Sequence, residues 1–209
     1  MAERSPRSRV PRAAELLRLD LRPQQLARLD ALAAMLAGTA VDAGLISEAD
    51  RDDVVERHVI DSLRAAAVVL PQDRLALDLG SGAGLPGLVV AIALPGLRVV
   101  LVESRRRRVA FLELAVQTLG TGNAVVRHAR IEDVEDRADL CFTRALAPLR
   151  RSWALAAPRL RPGGRLVYFA GAGFSPPDRP DRLDPPALIE AVASPLLASS
   201  GPLVIMTRQ

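Results

Sequence analysis

A glycine-rich stretch that begins at an aspartate is the part of this sequence whose residue types and spacing could do chemistry. It reads Asp78-Leu79-Gly80-Ser81-Gly82-Ala83-Gly84-Leu85-Pro86-Gly87 and joins a short apolar run to an apolar segment with helical spacing. Glycines permit positive φ angles and let a ligand approach the backbone, while the first N–H groups of a helix attract an anion. Pro86 suits a first helical position. The stretch therefore predicts a ligand-binding loop between a strand and a helix.

Two kinds of cofactor suit this loop. Gly82, Gly84 and Gly87 satisfy the dinucleotide fingerprint, although that pattern alone is weakly specific. Asp78 would repel a pyrophosphate but suits the ammonium of an amino-acid moiety, and Asp-x-Gly-x-Gly-x-Gly after a strand is typical of class I S-adenosylmethionine-dependent methyltransferases. Glu103 ends the next predicted strand, where a carboxylate can accept the ribose hydroxyls of either cofactor. A loop that only packs the strand against the helix is the third interpretation.

Alternating short apolar runs and helical segments predict the scaffold that positions these residues. Such alternation is typical of an α/β, Rossmann-like, doubly wound and mostly parallel sheet with helices on both faces. We predict strands over residues 75–79, 99–102, 124–127, 140–143, 164–169 and 203–207, and helices over residues 23–37, 52–70, 88–94, 106–119, 148–158 and 187–192. We divide the chain into a disordered arginine-rich tail (1–14), an N-terminal helical segment (15–71) and a cofactor-binding domain (72–209).

The composition fits one compact domain with an appendage. Its 209 residues are 49% hydrophobic, which supplies a sizeable core and excludes wholesale disorder. All 28 basic residues are arginine, and the formal net charge is +4. Residues 1–28 hold seven arginines and three acids, residues 98–130 hold seven arginines and two acids, and residues 42–61 hold seven acids and two arginines. This segregation suggests a basic face opposite an acidic segment, although solvated helix faces would also produce it.

Other classes of protein are disfavoured. The single cysteine, Cys141, excludes an internal disulfide and a thiolate metal cluster, and we predict no metal site. Residues 79–97 carry no charge, but seven of these 19 residues are Gly or Pro, which argues against a membrane span. Because the N-terminus also lacks the apolar core of a signal peptide, we expect a soluble, cytoplasmic protein with no membrane partner. Aromatic residues are only 3% of the chain, so we expect Phe142, Trp153 and Tyr168 in the core.

Beyond these patterns, the chain resembles the ribosomal RNA small-subunit methyltransferase G family over roughly residues 20–170. Landmarks that match the family in order carry the resemblance. They are Arg57-His58-Val59-Ile60-Asp61-Ser62-Leu63, the loop 80–87 with its Leu-Pro-Gly ending, Val102-Glu103-Ser104 with Phe111-Leu112, Arg130-Ile131-Glu132, and Thr143-Arg144-Ala145. The chain departs from the family at Ala43-Gly44-Leu45-Ile46, where Asn-Leu-Thr-like residues are usual, and at Ala170-Gly171, where Lys-Gly is usual.

The resemblance implies a class I methyltransferase with a seven-stranded sheet that methylates N7 of one guanine in 16S rRNA. It implies S-adenosylmethionine as cofactor, S-adenosylhomocysteine as product, and 16S rRNA or the assembling small subunit as partner of a monomer. Carried over residue by residue, it implies cofactor contacts from Gly80 and Leu85, from Ile131 and Glu132 around the adenine, and from Arg144 near the methyl-transfer end. With the loop residues Asp78, Gly82 and Gly84 and the strand-end Glu103, these complete the predicted cofactor site.

Methylation of guanine N7 needs no general base, because this nitrogen carries a free lone pair at neutral pH. Positioning dominates such a displacement, and we expect Arg144 to orient the guanine or the cofactor, with a salt bridge to Glu132 or Asp139 as the alternative. Cys141 lies inside a predicted strand and is expected to be a core residue rather than a nucleophile. The fourth predicted strand is not followed by the Asn/Asp-Pro-Pro-aromatic motif typical of exocyclic-amine methylation.

Basic side chains around the predicted crevice are candidates for contact with RNA. They are Arg57, His58, Arg105, Arg106, Arg150 and Arg151. A solvated helix face is the simpler interpretation of the arginines, and a buried, hydrogen-bonded position is the simpler one of His58. Two other functions stay open: a class I methyltransferase acting on a small molecule or a protein, and a non-catalytic or NAD-binding Rossmann domain.

Overall fold

The computed structural model describes residues 9–174, 183–193, 196 and 200–209. Within these residues a seven-stranded sheet forms the centre of the molecule, in the order β3-β2-β1-β4-β5-β7-β6. The strands are Leu75–Leu79 (β1), Arg98–Glu103 (β2), Ala124–His128 (β3), Ala138–Arg144 (β4), Leu160–Phe169 (β5), Ala187–Val192 (β6) and Leu203–Arg208 (β7). Strands β1 to β5 are parallel, whereas β7 runs antiparallel to both of its neighbours. This architecture confirms the predicted Rossmann-like, mostly parallel fold.

Helices cover both faces of the sheet. The α-helices are Arg9–Leu16 (α1), Pro23–Met35 (α2), Asp61–Ala67 (α3), Gly87–Ala93 (α4), Arg106–Leu119 (α5) and Leu149–Ala156 (α6). Helices α1 to α5 contribute to one apolar core, and α6 with Trp153 contributes to the core on the opposite face. Alternate residues of β1 serve the two cores, since Ala76 lies in the first and Leu77 in the second. Among the described residues, every helix falls short of the length and apolar character needed to cross a bilayer.

Several elements follow directly from their local sequence. Strand β1 and helix α5 have the predicted boundaries. In α5 the buried residues recur at helical spacing, and Gly120 ends the helix in the left-handed conformation at φ 59°. Cys141, Phe142 and Trp153 are fully buried, as expected, whereas Tyr168 is only half-buried.

The main error of prediction concerns residues 187–192, which form β6 rather than a helix. Their backbone pairs antiparallel with β7, from Ala187 opposite Arg208 to Val192 opposite Leu203. Alanine, leucine and glutamate favour helices, but this propensity is weak, and hydrogen bonding along a neighbouring strand overrides it.

The N-terminal segment also differs from the expected helices. The helix predicted over 52–70 is divided into a π-helical stretch, Val55–Ile60, and α3. At the junction the Asp61 N–H bonds to the Glu56 carbonyl, five residues back, which widens the turn. Helix α1 begins at Arg9, inside the segment predicted to be disordered, and residues 1–8 lie outside the described residues.

The loop between β1 and α4 is tied to the neighbouring strand and requires glycine. The N–H groups of Gly80 and Ser81 donate to the Val102 carbonyl at 2.9 and 3.0 Å. Gly84 has φ +86°, and a Cβ there would lie 2.4 Å from Cδ1 of Leu88. Another residue type would strain the backbone at this φ and would have to displace the buried Leu88 side chain. Pro86 precedes α4 rather than forming its first residue.

Asp78 supports the loop from beneath. Its side chain is buried, and Oδ2 accepts hydrogen bonds from the Ser81 hydroxyl and from the Gly87 N–H at 3.1 Å. Burial raises the pKa of Asp78 from 3.8 to about 6, although the hydrogen bonds from Ser81 and Gly87 lower it. The folded chain therefore disfavours the charged form of this carboxyl group.

We expect Asp78→Asn to stabilise the fold in a pH-dependent way. Below about pH 4 both states are protonated and the carboxyl group costs nothing, whereas above pH 6 its ionisation costs the folded state about 3 kcal/mol. Asparagine can accept from Gly87 and donate to Ser81, so the gain in unfolding free energy should be about 2 kcal/mol larger at pH 8 than at pH 4.5. Urea denaturation at both pH values measures it, with Asp30→Asn on an exposed helix face as control. An equal gain in unfolding free energy at both pH values would show that folding does not raise the pKa of Asp78.

Candidate functional site

A cleft of about 720 Å³ opens at the carboxyl ends of β1, β2 and β4. It lies where the strand order reverses direction, since β1 has β2 on one side and β4 on the other. The glycine-rich loop, the β2–α5 junction, the 3₁₀ turn Ile131–Asp133 and the end of β4 form its walls. The segment 45–50 and His58, from the N-terminal helical segment, complete them. Clefts of this position and size hold small-molecule cofactors.

The cleft brings together most of the predicted site residues. Those that line it are Gly80, Gly82, Leu85, Glu103, Ile131, Glu132, Arg144, His58 and Arg105. The predicted residues that do not line it are Asp78, Gly84, Arg57, Arg106, Arg150 and Arg151. Asp78 and Gly84 act on the cleft through the loop conformation. A contact between Asp78 and the ammonium group of a ligand stays a prediction.

Glu103 faces the glycine-rich loop across the cleft. Its Oε2 accepts from the Gly82 N–H at 3.1 Å, and its Oε1 accepts from the N–H groups of Ser104 and Arg105 at 2.8 and 2.9 Å. Nη1 of Arg108 lies 3.5 Å from Oε2. The carboxylate is thus held in place by the backbone, with acceptor capacity left for hydroxyl donors in the cleft.

The turn Ile131–Asp133 forms the side of the cleft opposite the loop. A buried arginine, Arg159, holds it: Nη2 donates to the Glu132 carbonyl at 2.6 Å, and Nη1 donates to the Leu155 carbonyl at 3.0 Å. Ile131 therefore offers an apolar surface and Glu132 an exposed carboxylate at a fixed position.

Arg144 ends β4 and reaches the N-terminal helical segment. Its Nη2 donates to the Arg57 carbonyl at 2.6 Å and to Nδ1 of His58 at 3.1 Å, and it lies 3.5 Å from Oδ2 of Asp61. Its guanidinium carbon is 5.8 Å from the centroid of the Phe169 ring. The alternative interpretation of Arg144, a salt bridge to Glu132 or Asp139, is wrong, since the anion beside Arg144 is Asp61.

His58 is nearly buried between Arg144 and an acid. Its Nδ1 accepts from Arg144, and its Nε2 lies 3.3 Å from Oδ2 of Asp50. Burial lowers the pKa of His58, the Arg144 charge lowers it further, and Asp50 raises it. His58 is therefore a neutral imidazole that connects the N-terminal segment to the cleft, as in its simpler interpretation.

The predicted RNA-contacting arginines lie in different surroundings. Arg57 pairs with Asp50 at 2.9 Å, and its side chain is more than half exposed. Arg105 and Arg106 are exposed where α5 begins, and Arg150 and Arg151 are exposed in the first turn of α6. Both helices begin after strands whose ends form the cleft, but of these five arginines only Arg105 lines it.

The described residues contain neither a cluster suited to a metal ion nor a reactive cysteine. Across residues 9–174, 183–193, 196 and 200–209, no three His, Cys, Asp or Glu side chains are placed to hold a metal ion. Burial raises the pKa of the Cys141 thiol far above its usual range, so this cysteine is a core residue and not a nucleophile.

Some cleft residues were not predicted from the sequence. Leu45, Ile46, Ser47 and Asp50 line it, but they lie in a segment with no recognisable ligand-binding motif. Arg108 belongs to the arginine run 105–108, and its position one helical turn into α5 could have indicated that it faces Glu103.

Family and sequence comparisons agree with this site. The family model for rRNA small subunit methyltransferase G matches residues 25–174. The ribosomal RNA small subunit methyltransferase G of Acidothermus cellulolyticus is 42% identical over 137 residues, which cover 66% of this chain and 61% of the relative. The protein of the same name from Cereibacter sphaeroides is 39% identical over 163 residues, covering 76% of this chain and 79% of the relative. The chain spans 57% of a Mycobacterium leprae relative that is 42% identical.

Solved structures share the fold at low sequence identity. A SAM-dependent methyltransferase from Aquifex aeolicus superposes with a TM-score of 0.60 and 15% identity, covering 80% of this chain and 99% of the other. A SAM-dependent O-methyltransferase from Thermotoga maritima gives a TM-score of 0.53 and 15% identity, covering 71% and 64%. These two likenesses concern the fold alone. The match of the family model over residues 25–174 and the relatives at about 40% identity show that this chain belongs to the rRNA small subunit methyltransferase G family.

Proposed function

We propose that this chain is an S-adenosylmethionine-dependent methyltransferase that acts on N7 of one guanine in 16S rRNA, free or within the assembling small subunit. The observation that carries the proposal is the cleft, where the glycine-rich loop, Glu103 and the Ile131–Asp133 turn face one another in a member of this family. The monomeric state and cytoplasmic location expected from the sequence stay predictions.

The residues of the cleft fit this cofactor. Gly82 lines the cleft with φ +61° and no Cβ, so a ligand can approach the backbone there. Glu103 would accept the ribose hydroxyls, and Ile131 would contact the adenine. The cofactor, when bound, supplies a methyl group made electrophilic by a sulfonium. Arg144 and Leu85 would then border the reacting end.

The reaction needs positioning rather than proton transfer. The cofactor, held by the glycine-rich loop and Glu103, would supply its methyl group to the N7 lone pair of guanine, and the electron pair of the broken C–S bond would stay with its sulfur. No proton leaves, so the positive charge passes from sulfur to the guanine ring. Nδ1 of His58 accepts a hydrogen bond from Arg144 and Asp78 is buried beneath the loop, which is consistent with a site without a general base. Arg144, held by the Arg57 carbonyl and the Asp61 carboxylate, would orient the reactants.

The cleft mouth suits a phosphate-bearing substrate better than a small neutral one. Arg105, Arg108 and Arg130 line the cleft, and Arg106 and Arg151 are exposed in the first turns of α5 and α6. Arginine forks bind phosphate oxygens through paired hydrogen bonds. These side chains support RNA over a small molecule or a protein as substrate.

The first test is the product. Incubation of the protein with methyl-labelled S-adenosylmethionine and unmethylated 16S rRNA or small subunits should place label in 7-methylguanosine at one position, as read by nucleoside mass spectrometry. A protein or small-molecule preparation should acquire none. Absence of 7-methylguanosine with both RNA substrates would refute the proposed function.

The second test is cofactor binding. Glu103→Gln should weaken S-adenosylhomocysteine binding by about tenfold or more, because it removes a charge-assisted hydrogen bond to the ribose. Calorimetry measures the affinity, with the exposed Asp133→Asn, which does not line the cleft, as control. Binding of NAD in place of S-adenosylhomocysteine would favour a dinucleotide-binding Rossmann domain.

The third test is the salt dependence of RNA binding. Arg106→Gln with Arg151→Gln should weaken rRNA binding and reduce the slope of log affinity against log salt by about one for each lost phosphate contact. The matched control is Arg98→Gln, because Arg98 is exposed at the opposite end of β2 from the cleft. An equal change in slope for Arg98→Gln would show that the position of the arginines is irrelevant.

A further inference from the structure

A second cavity of about 390 Å³ lies beside the cofactor cleft. This side pocket is formed by α3, the ends of β4 and β5, the chain after β5 and the residues just before β7, and it shares Arg144 and Ala145 with the cleft. We propose that the side pocket binds the acceptor guanine and that Asp61 and Arg144 read its base-pairing edge. The assignment rests on the proposed function, because a methyl acceptor must lie next to the cofactor.

Small residues leave the side pocket open for a planar ring. Ala145, Ala170, Gly171, Ala172 and Gly201 all line it. Its volume lies within the range of small-ligand sites, about 300–1,000 Å³. Enzymes that act on a nucleobase take it out of its stack into a pocket and contact its Watson–Crick edge. A flipped purine is therefore the class of ligand that this shape accommodates.

Asp61 supplies a hydrogen-bond acceptor in the pocket wall. The residue is buried, its Oδ1 accepts from Nη1 of Arg64 at 2.7 Å, and its Oδ2 lies 3.5 Å from Nη2 of Arg144. Arg64 is fixed in turn, since its Nη2 donates to the Gly201 carbonyl at 2.8 Å. A carboxylate has about four lone-pair sites, so both oxygens can accept further bonds.

Arg144 supplies the adjacent donor. It lies against the Phe169 ring and donates to the Arg57 carbonyl, and these contacts fix its guanidinium at the wall between the two cavities. A guanidinium has more N–H donors than these bonds use. An acceptor and a donor thus stand side by side, with the donor nearer the cofactor cleft.

The order of these groups matches guanine among the purines. Around its edge guanine presents the 2-amino donor, the N1–H donor, the O6 acceptor and then N7. Asp61 would accept from the 2-amino group and N1–H, and Arg144 would donate to O6. N7 then points past Arg144 toward the cofactor cleft. Adenine presents an acceptor at N1 and a donor at its 6-amino group, so its edge is mismatched at both positions.

The Asp61 contact should also strengthen as the methyl group is transferred. Methylation places positive charge on the guanine ring, which makes N1–H a stronger donor to a carboxylate. An interaction that is stronger in the transition state than in the bound substrate raises kcat rather than only lowering KM. Asp61 therefore has a catalytic effect without removing a proton.

The test compares guanine with inosine, which lacks the 2-amino group. After the methylated nucleotide has been identified, an rRNA ligated with inosine at that position is assayed with the wild type and with Asp61→Asn. The wild type should methylate guanine with about tenfold higher kcat/KM than inosine. Asp61→Asn should lower kcat on guanine at least tenfold and bring the guanine-to-inosine ratio close to one. A wild type that does not discriminate, or a variant that keeps the wild-type ratio, overturns the assignment.

A second variant tests the side pocket without altering the Asp61–Arg64 salt bridge. Ala172 is exposed at the rim, so Ala172→Leu fills the pocket without removing a buried charge. It should lower kcat/KM for rRNA at least tenfold with unchanged S-adenosylhomocysteine affinity, whereas the control Ala31→Leu, on the exposed face of α2, should not. If Ala172→Leu keeps the wild-type kcat/KM, the side pocket does not bind the acceptor guanine. The proposed function itself fails only if the wild type makes no 7-methylguanosine.

Discussion

One partly buried cation, Arg144, connects the N-terminal helical segment to the carboxyl end of the parallel sheet. It bonds to the Arg57 carbonyl, lies beside Asp61 and packs on Phe169, so that two separate parts of the chain meet at its guanidinium. A buried charge without partners is strongly destabilising, and the N-terminal segment must therefore stay docked for Arg144 to be compensated. The cleft and the side pocket both have Arg144 in their walls, and the shape of each depends on this connection.

The fold changes the interpretation of the segregation of acidic and basic residues along the sequence. Five of the seven carboxylates in the acid-rich stretch 42–61 pair with arginines, which reduces the acidic surface that the sequence suggests. The pairs are Glu56 with Arg9, Asp42 and Glu48 with Arg51, Asp50 with Arg57, and Asp61 with Arg64. Arg105, Arg108 and Arg130 line the cleft instead. The electrostatic potential at the cleft is consequently set by these side chains and not by the net charge of the chain.

Prediction from the sequence succeeded where local pattern and burial coincide. Strand β1 and helix α5 were predicted to the residue, since buried parallel strands are continuously apolar and the α5 positions that pack inward recur at helical spacing. It failed at β6, where the antiparallel bonds to β7 override a helix-compatible composition. The sequence also did not predict the π-helical turn before α3. The Arg57 carbonyl in this turn accepts a hydrogen bond from Arg144, which lies 87 residues away, so no local pattern indicates it.

The sequence by itself determined the glycine-rich loop, the place of Glu103 at the end of β2 and the Rossmann-like order of strands and helices. These depend on backbone freedom, spacing and apolar periodicity, which act over a few residues. Only the tertiary structure decided that Asp78 lies beneath the loop, that Arg144 faces Asp61 rather than Glu132 or Asp139, and that Arg64 reaches the Gly201 carbonyl 137 residues along the chain. Buried charges and polar groups take the partner that the packed fold brings within hydrogen-bond distance, and nearness in sequence does not predict that partner.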